Sequence, residues 1–236
     1  MTQPRMAVFA YNFPHKKTQD FLTRLLIEGY DIDCVLAADS VVLNIPAATV
    51  RVGVRHTGLV HPKQICDRFG IDYHVVVHND SACENLLRDR GIDIGIIAGA
   101  RILKEPAINA VNMGIINWHP GILPEVRGLD TLQWALVENL PLGVTAHVID
   151  KRVDCGRILL KEEIAFHPDD TLPDLSLRLY ETQLSMIAPA IEKLRNTPLE
   201  TLEEVGASRL YRKMPPELEA QVADALERRK RATFAT

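Results

Sequence analysis

Asn117 and His119 stand two positions apart in the stretch INWHPGILP, residues 116–124. On an extended chain, residues two apart share a face, so the amide and the imidazole would point the same way. A side-chain amide can hold negative charge developing on an oxygen, and an imidazole can move a proton near neutral pH. Together they suit chemistry at a carbonyl. Pro120, Gly121 and Pro124 follow, and the fixed φ of the prolines limits the freedom of the loop that carries the pair. A capping asparagine and a core histidine would show the same spacing, so these residues do not decide the matter alone.

A second segment, DKRVDCG at residues 150–156, offers two carboxylates, Asp150 and Asp154, and a glycine, Gly156. The glycine permits a positive φ, and aspartate commonly turns the backbone at such a place. A carboxylate from this loop could reach an imidazole on a neighbouring loop and favour its charged form. Either aspartate could equally be a turn former.

The elements that must position these groups alternate. RMAVFA (5–10) reads as a strand and KTQDFLTRLLIEG (17–29) as a helix, with Phe21, Leu22, Leu25 and Leu26 at helical spacing. DIDCVLAA (31–38) reads as the next strand, giving a parallel β-α-β beginning. A helix at 63–69, a strand at 73–78, a helix capped by Ser81 and running to 90, a strand at 92–99, a short helix at 105–111 and a strand at 114–118 continue the pattern. The fold class expected is α/β: an open, mostly parallel twisted sheet with helices on both faces. Ligands of such sheets bind outside the carboxyl ends of the strands, where Asn117 and His119 fall. Beyond residue 140 the pattern predicts strands at 143–149 and 157–164. A long helix at 171–193 follows, entered through Asp169, Asp170 and Thr171. Ser40–His61 is irregular, and a strand at 48–54, an edge hairpin or a loop all remain open.

Bulk properties exclude several classes. The net charge of −4 argues against a surface built for nucleic acid, so no nucleic-acid partner is expected. Cys34, Cys66, Cys83 and Cys155 form no CxxC pair and read as reduced thiols of a cytoplasmic protein. No metal site is expected. No run approaches the ~18 apolar residues of a membrane span, and residues 1–10 lack a secretory core, so no membrane partner is expected. No GxGxxG follows the first strand, which disfavours a dinucleotide oxidoreductase.

Several motifs occur together at set distances: ARIL at 100–103, NWHPGILP at 117–124, RGLDTLQWAL at 127–136, GVTAHVID at 143–150 and DCG at 154–156. In this combination the chain resembles the folate-dependent formyltransferases, strongly over residues 92–164 and weakly before them. The resemblance implies a catalytic set of Asn117, His119 and Asp154, with N10-formyltetrahydrofolate as formyl donor and an amine as acceptor. It also implies a pterin pocket from Ala100, Arg101, Ile102 and Leu103 together with Asp150, Lys151, Val153 and Asp154. His147 matches a family histidine near the site, for which a structural role is equally open. By the same resemblance, residues 1–195 would be the formyltransferase catalytic domain and 196–236 a C-terminal helical extension. A helix is expected at 215–229, where Leu218, Val222 and Leu226 fall four apart.

The acceptor is read from departures. Ala10 to Lys17 (AYNFPHKK) lacks the glycine-rich phosphate loop of glycinamide ribonucleotide formyltransferases. The 40 residues after Asn196 are short of the extra barrel of methionyl-tRNA formyltransferases. The resemblance is then closest to sugar N-formyltransferases, and Tyr211 to Pro215 looks like a feature of some of them. The expected acceptor is a small-molecule amine on a nucleotide-linked amino sugar, with Asn12, Lys16, Lys17 and Arg127 as contacts to its phosphates. Glycinamide ribonucleotide or another small amine as acceptor, and a non-catalytic nucleotide-sugar or folate binder on the same fold, stand as alternatives. A homodimer is left open.

Overall fold

The computed structural model describes residues 3–42, 48–52, 56 and 58–235. In chain order the elements are β1 (Met6–Tyr11), α1 (Lys16–Ile27), β2 (Ile32–Ala38), α2 (Pro62–Phe69), β3 (Asp72–Val75) and α3 (Ser81–Asp89). They continue with β4 (Ile94–Ile97), α4 (Glu105–Ile108), β5 (Gly114–His119), β6 (Arg127–Gly128), α5 (Thr131–Val137) and β7 (Gly143–Ile149). The chain ends through β8 (Gly156–Glu163), α6 (Leu172–Ser185), α7 (Ile187–Asn196), β9 (Leu210–Tyr211), α8 (Pro216–Glu219) and α9 (Val222–Phe234).

Seven strands form one sheet in the order β3-β2-β1-β4-β5-β7-β8. The first five run parallel, and β7 is antiparallel to both β5 and β8. The expected open, mostly parallel sheet with helices on both faces is the fold observed. Strand alternation divides the core. Met6, Val8 and Ala10 face a cluster that takes Phe21, Leu22 and Leu25 from α1 and Ile187 and Ile191 from α7. Ala7 and Phe9 face the opposite cluster, with Cys83 and Leu87 from α3. Strands covered on both faces read as continuous apolar runs, which is why β1, β2 and β4 carry no polar face.

Four expectations need correction. Asp80, not Ser81, caps α3, because Asp80 is the extended residue whose carboxylate accepts from Cys83 N–H at 3.0 Å. The long helix at 171–193 is two, α6 and α7, which meet at Met186. Pro189 has no N–H for the Ser185 carbonyl and its ring crowds that carbonyl, so one helix cannot run through. The cap of α6 is Thr171 in a reciprocal capping box with Asp174, while Asp170 instead pairs with Arg178 at 2.8 Å. The helix expected at 215–229 is likewise divided into α8 and α9, with Val222 and Leu226 buried. Of the strand considered at 48–54, residues 48–52 are not in a strand and 53 and 54 lie outside the described residues.

The strand that carries the candidate pair is anchored from behind. Trp118 lies between Asn117 and His119 in sequence and points to the other face, where its ring meets Phe21 edge-on at 5.3 Å. Both are fully buried. Phe21→Ala should therefore lower unfolding free energy by about 3–5 kcal/mol, measured as a shifted urea midpoint with an unchanged slope.

Candidate active site

β5 ends at the carboxyl edge of the sheet, and the alternation that buries Trp118 turns Asn117 and His119 to the face of α3 and α4. His119 is 3% exposed. Its Nε2 lies 2.7 Å from the Val126 carbonyl oxygen. A carbonyl only accepts, so Nε2 carries hydrogen and Nδ1 is left to exchange protons. Nδ1 faces Asp154 Oδ1 at 3.5 Å.

The loop after β5 is shaped around that bond. A Cβ on Gly121 would come within 2.7 Å of the Val126 oxygen and 3.0 Å of His119 Nε2, so only glycine leaves the hydrogen bond room. Thr145 of β7, fully buried, donates its hydroxyl to the Gly121 carbonyl at 2.8 Å and accepts from Leu123 N–H at 3.0 Å. The sequence reading passed over Thr145. Its signal was a hydroxyl within an otherwise apolar central strand, where an unpaired polar group is costly.

Asp154 adopts φ 46, and Gly156 follows with φ 116. A side chain on Gly156 would stand 1.9 Å from the Val148 carbonyl, so the turn expected there is enforced sterically. Within this loop Arg152 N–H donates to Asp150 Oδ1 at 2.7 Å and its guanidinium pairs with the same carboxylate. Burial alone would raise the Asp150 carboxyl, yet these bonds hold it below its ordinary value. Of the two carboxylates left open by the sequence, Asp154 is the one beside the imidazole.

Asn117 is fixed by a residue across the ladder. It pairs with His147 in register, and its Nδ2 donates to His147 Nε2 at 3.3 Å. His147 Nδ1 in turn donates to the Cys155 carbonyl at 3.0 Å. That donor assignment makes Nε2 a bare acceptor and sets which way the Asn117 amide points. Burial, with the nearby His119, pushes the His147 imidazole down to about 4. Lys17 closes the far side of β5. Its ammonium donates to the Trp118 carbonyl at 3.2 Å, and desolvation pushes it down to about 8 against a partial pull upward from Asp154.

Two cavities flank this strand end. A cleft of about 440 Å³ is lined by Asn117, Asp154, Ile97, Ile149 and Gly128. Ala100, Arg101, Ile102, Leu103, Asp150, Arg152 and Val153 also border it. All the residues that the resemblance put around a pterin meet here except Lys151, which turns away to Glu105 at 3.6 Å. Leu210 and Tyr211 of β9, with Arg212, complete the wall, which a two-residue strand did not signal in the sequence.

The second cavity, about 400 Å³, lies toward α1, α5 and α6, with Lys16, Lys17, Pro120, Gln133, Ser176 and Gln183 in its lining. Lys16 is paired with Asp20 at 2.6 Å, and Tyr180 OH donates to the same carboxylate. Asn12 and Arg127 line neither cavity. The Asn12 amide is held between Asp39 and Tyr73, each at 2.7 Å, while Arg127 lies in β6.

A formyl transferase family model matches residues 37–191. The chain belongs to the formyl transferase family. The family's members use N10-formyltetrahydrofolate as formyl donor. The methionyl-tRNA formyltransferase of Deinococcus radiodurans is 32% identical over 52% of this chain and 39% of its own length. The trifunctional purine biosynthetic protein adenosine-3 of Homo sapiens is 27% identical over 77% of this chain and 19% of its own. The chain thus spans well under half the length of these curated relatives. Among solved structures, phosphoribosylglycinamide formyltransferase from Streptococcus pneumoniae TIGR4 aligns with a TM-score of 0.61 at 20% identity, over 82% of this chain and 100% of that one. A sugar N-formyltransferase from Shewanella sp FDAARGOS_354 aligns with a TM-score of 0.60 at 13% identity, over 93% and 87%. At these identities the two structures establish the shared fold. Among the described residues, no helix is long and apolar enough to cross a membrane.

The neutral His147 has a consequence for stability. Its folded value near 4 lies below the ordinary 6.5, so between these values the unfolded chain binds the proton that the folded chain refuses. Stability should fall as pH drops from about 6.5 to about 4, by about 3 kcal/mol in total. Urea titrations at pH 7 and pH 4.5 should show a markedly smaller difference for His147→Gln than for the parent chain.

Proposed function

We propose that this protein transfers a formyl group from N10-formyltetrahydrofolate to the primary amine of a nucleotide-linked amino sugar. The observation that carries the reading is the meeting of Asn117 and Asp154 at one cleft, with His119 directly behind them. In this reading the donor's pterin occupies the cleft lined by Ala100 to Leu103 and the 150–154 loop. The acceptor's nitrogen attacks the formyl carbon, and the carbonyl π bond opens to a tetrahedral oxyanion. The amide of Asn117, already aimed by His147, donates to that oxyanion. Asp154 and His119 Nδ1 form the proton relay: the attacking amine gives up a proton, the C–N10 bond breaks, and N10 leaves protonated.

The second cavity supports a sugar acceptor. Its polar groups include the amides and hydroxyls of Gln133, Thr131, Ser176 and Gln183, which pair naturally with sugar hydroxyls, beside the ionisable His15, Asp130, Lys16 and Lys17. Its lysines are committed, Lys16 to Asp20 and Lys17 to the Trp118 carbonyl. The acceptor phosphates, with Arg127 and Asn12 as candidate contacts, would then sit outside this cavity.

The test is a mass gain of one formyl group. The protein is incubated with N10-formyltetrahydrofolate and a panel holding several nucleotide-linked amino sugars, glycinamide ribonucleotide and methionyl-tRNA. Formylation of an amino sugar is expected; formylation confined to either of the others would replace the acceptor assignment, and none at all would defeat the reading. His119→Ala should keep the fold and lose about 10²–10⁴ of the turnover. Asp154→Asn should lower kcat far more than donor affinity.

A further inference from the structure

The C-terminal extension is built into the site. Val205 N–H donates to the Gly156 carbonyl at 2.9 Å and Ile158 N–H to the Glu203 carbonyl at 2.8 Å, so the chain there runs beside the start of β8. Farther on, β9 pairs in parallel with β6, and Leu129 N–H donates to the Tyr211 carbonyl at 3.0 Å. Two bonds pin the next residues: Trp134 Nε1 donates to the Arg212 carbonyl and Met214 N–H to Asp130 Oδ2, both at 2.8 Å.

Gly128 sits at the crossing. Its φ is +110, and a Cβ there would stand 2.0 Å from the Tyr211 carbonyl oxygen. Its N–H donates to Asp154 Oδ2 at 3.0 Å. Among the described residues, the Asp154 carboxylate therefore has two polar contacts, this N–H on one oxygen and His119 on the other. Without the first, the carboxylate could rotate away from the imidazole. A two-residue strand does not hold its own conformation; β6 is extended because β9 lies against it.

We propose that the segment Leu210–Met214 orients the Asp154 carboxylate through Gly128, so that Gly128 and Tyr211 are positioning residues for formyl transfer. The inference rests on the function proposed above, and it makes the C-terminal extension part of the reacting centre.

The test is a double-mutant cycle in the full chain. Gly128→Ala forces β9 away from β6 and should lower kcat about tenfold or more, as expected when a reacting group is displaced by an ångström or less. In the Asp154→Asn background the same change should cost under about twofold, because the group it acts through is gone. Equal factors in the two backgrounds would overturn the proposal, since a merely structural loss is additive. Should Gly128→Ala fail to fold, Trp134→Phe keeps an aromatic ring beside Tyr211 while removing the bond to Arg212 together with part of the indole, and the same non-additivity is required of it. Hydrogen exchange gives an arm independent of turnover. The Gly128 amide should be protected and should lose protection in Asp154→Ala; an unprotected Gly128 amide would overturn the proposal even if the enzyme is active. If the parent chain transfers no formyl group to any acceptor, the functional reading fails while this exchange measurement still decides the Gly128–Asp154 contact.

Discussion

The hydrogen bond from His119 Nε2 to the Val126 carbonyl is the constraint on which the site depends. It commits one ring nitrogen to the backbone and leaves Nδ1 to face Asp154. Much of the surrounding sequence serves that geometry. Gly121 leaves space for the bond, Thr145 holds the loop on both sides of it, and Trp118 against Phe21 stops β5 from turning about its axis. Preorganisation of this kind is what lets a few polar groups stabilise a transition state without reorganising during it.

Electrostatics follow from how little water reaches these groups. Lys17, His119, His147 and Asp154 crowd one strand end. Desolvation drives His147 to its neutral form and lowers Lys17. A neutral His147 is useful as an acceptor, because only a bare Nε2 can hold the Asn117 amide in one orientation. Lys17 keeps part of its proton affinity through the Asp154 charge, and its bond to the Trp118 carbonyl ties α1 to the reacting loop. Both residues thus position backbone or side chain on β5.

The parallel sheet was legible because strands covered on both faces show as apolar runs between helical spacings, as at Met6–Tyr11 and Ile94–Ile97. The shared face of Asn117 and His119 was legible from the two-residue period alone. What could not be read were interactions without a period. Nothing local reveals that Leu210–Tyr211 pairs with Arg127–Gly128, 83 residues away in sequence, or that His147 lies opposite Asn117 in register. Helix breaks were partly legible: Pro189 stood in the sequence, but the apolar spacing continued through it and masked the break at Met186. Spacing alone did not separate Asp150 from Asp154, since both precede the same glycine; the resemblance favoured Asp154, and the fold sets it beside His119 while Arg152 occupies Asp150.

The tautomer of His119 tests this account most directly. Long-range ¹H–¹⁵N correlation spectra of the imidazole, recorded across the pH range in which the protein is folded, report which nitrogen carries hydrogen. The geometry requires Nε2 to remain protonated throughout, with every change confined to Nδ1. A neutral His119 protonated at Nδ1, with Nε2 bare, would contradict it, because the Val126 carbonyl oxygen would then face a lone pair at 2.7 Å.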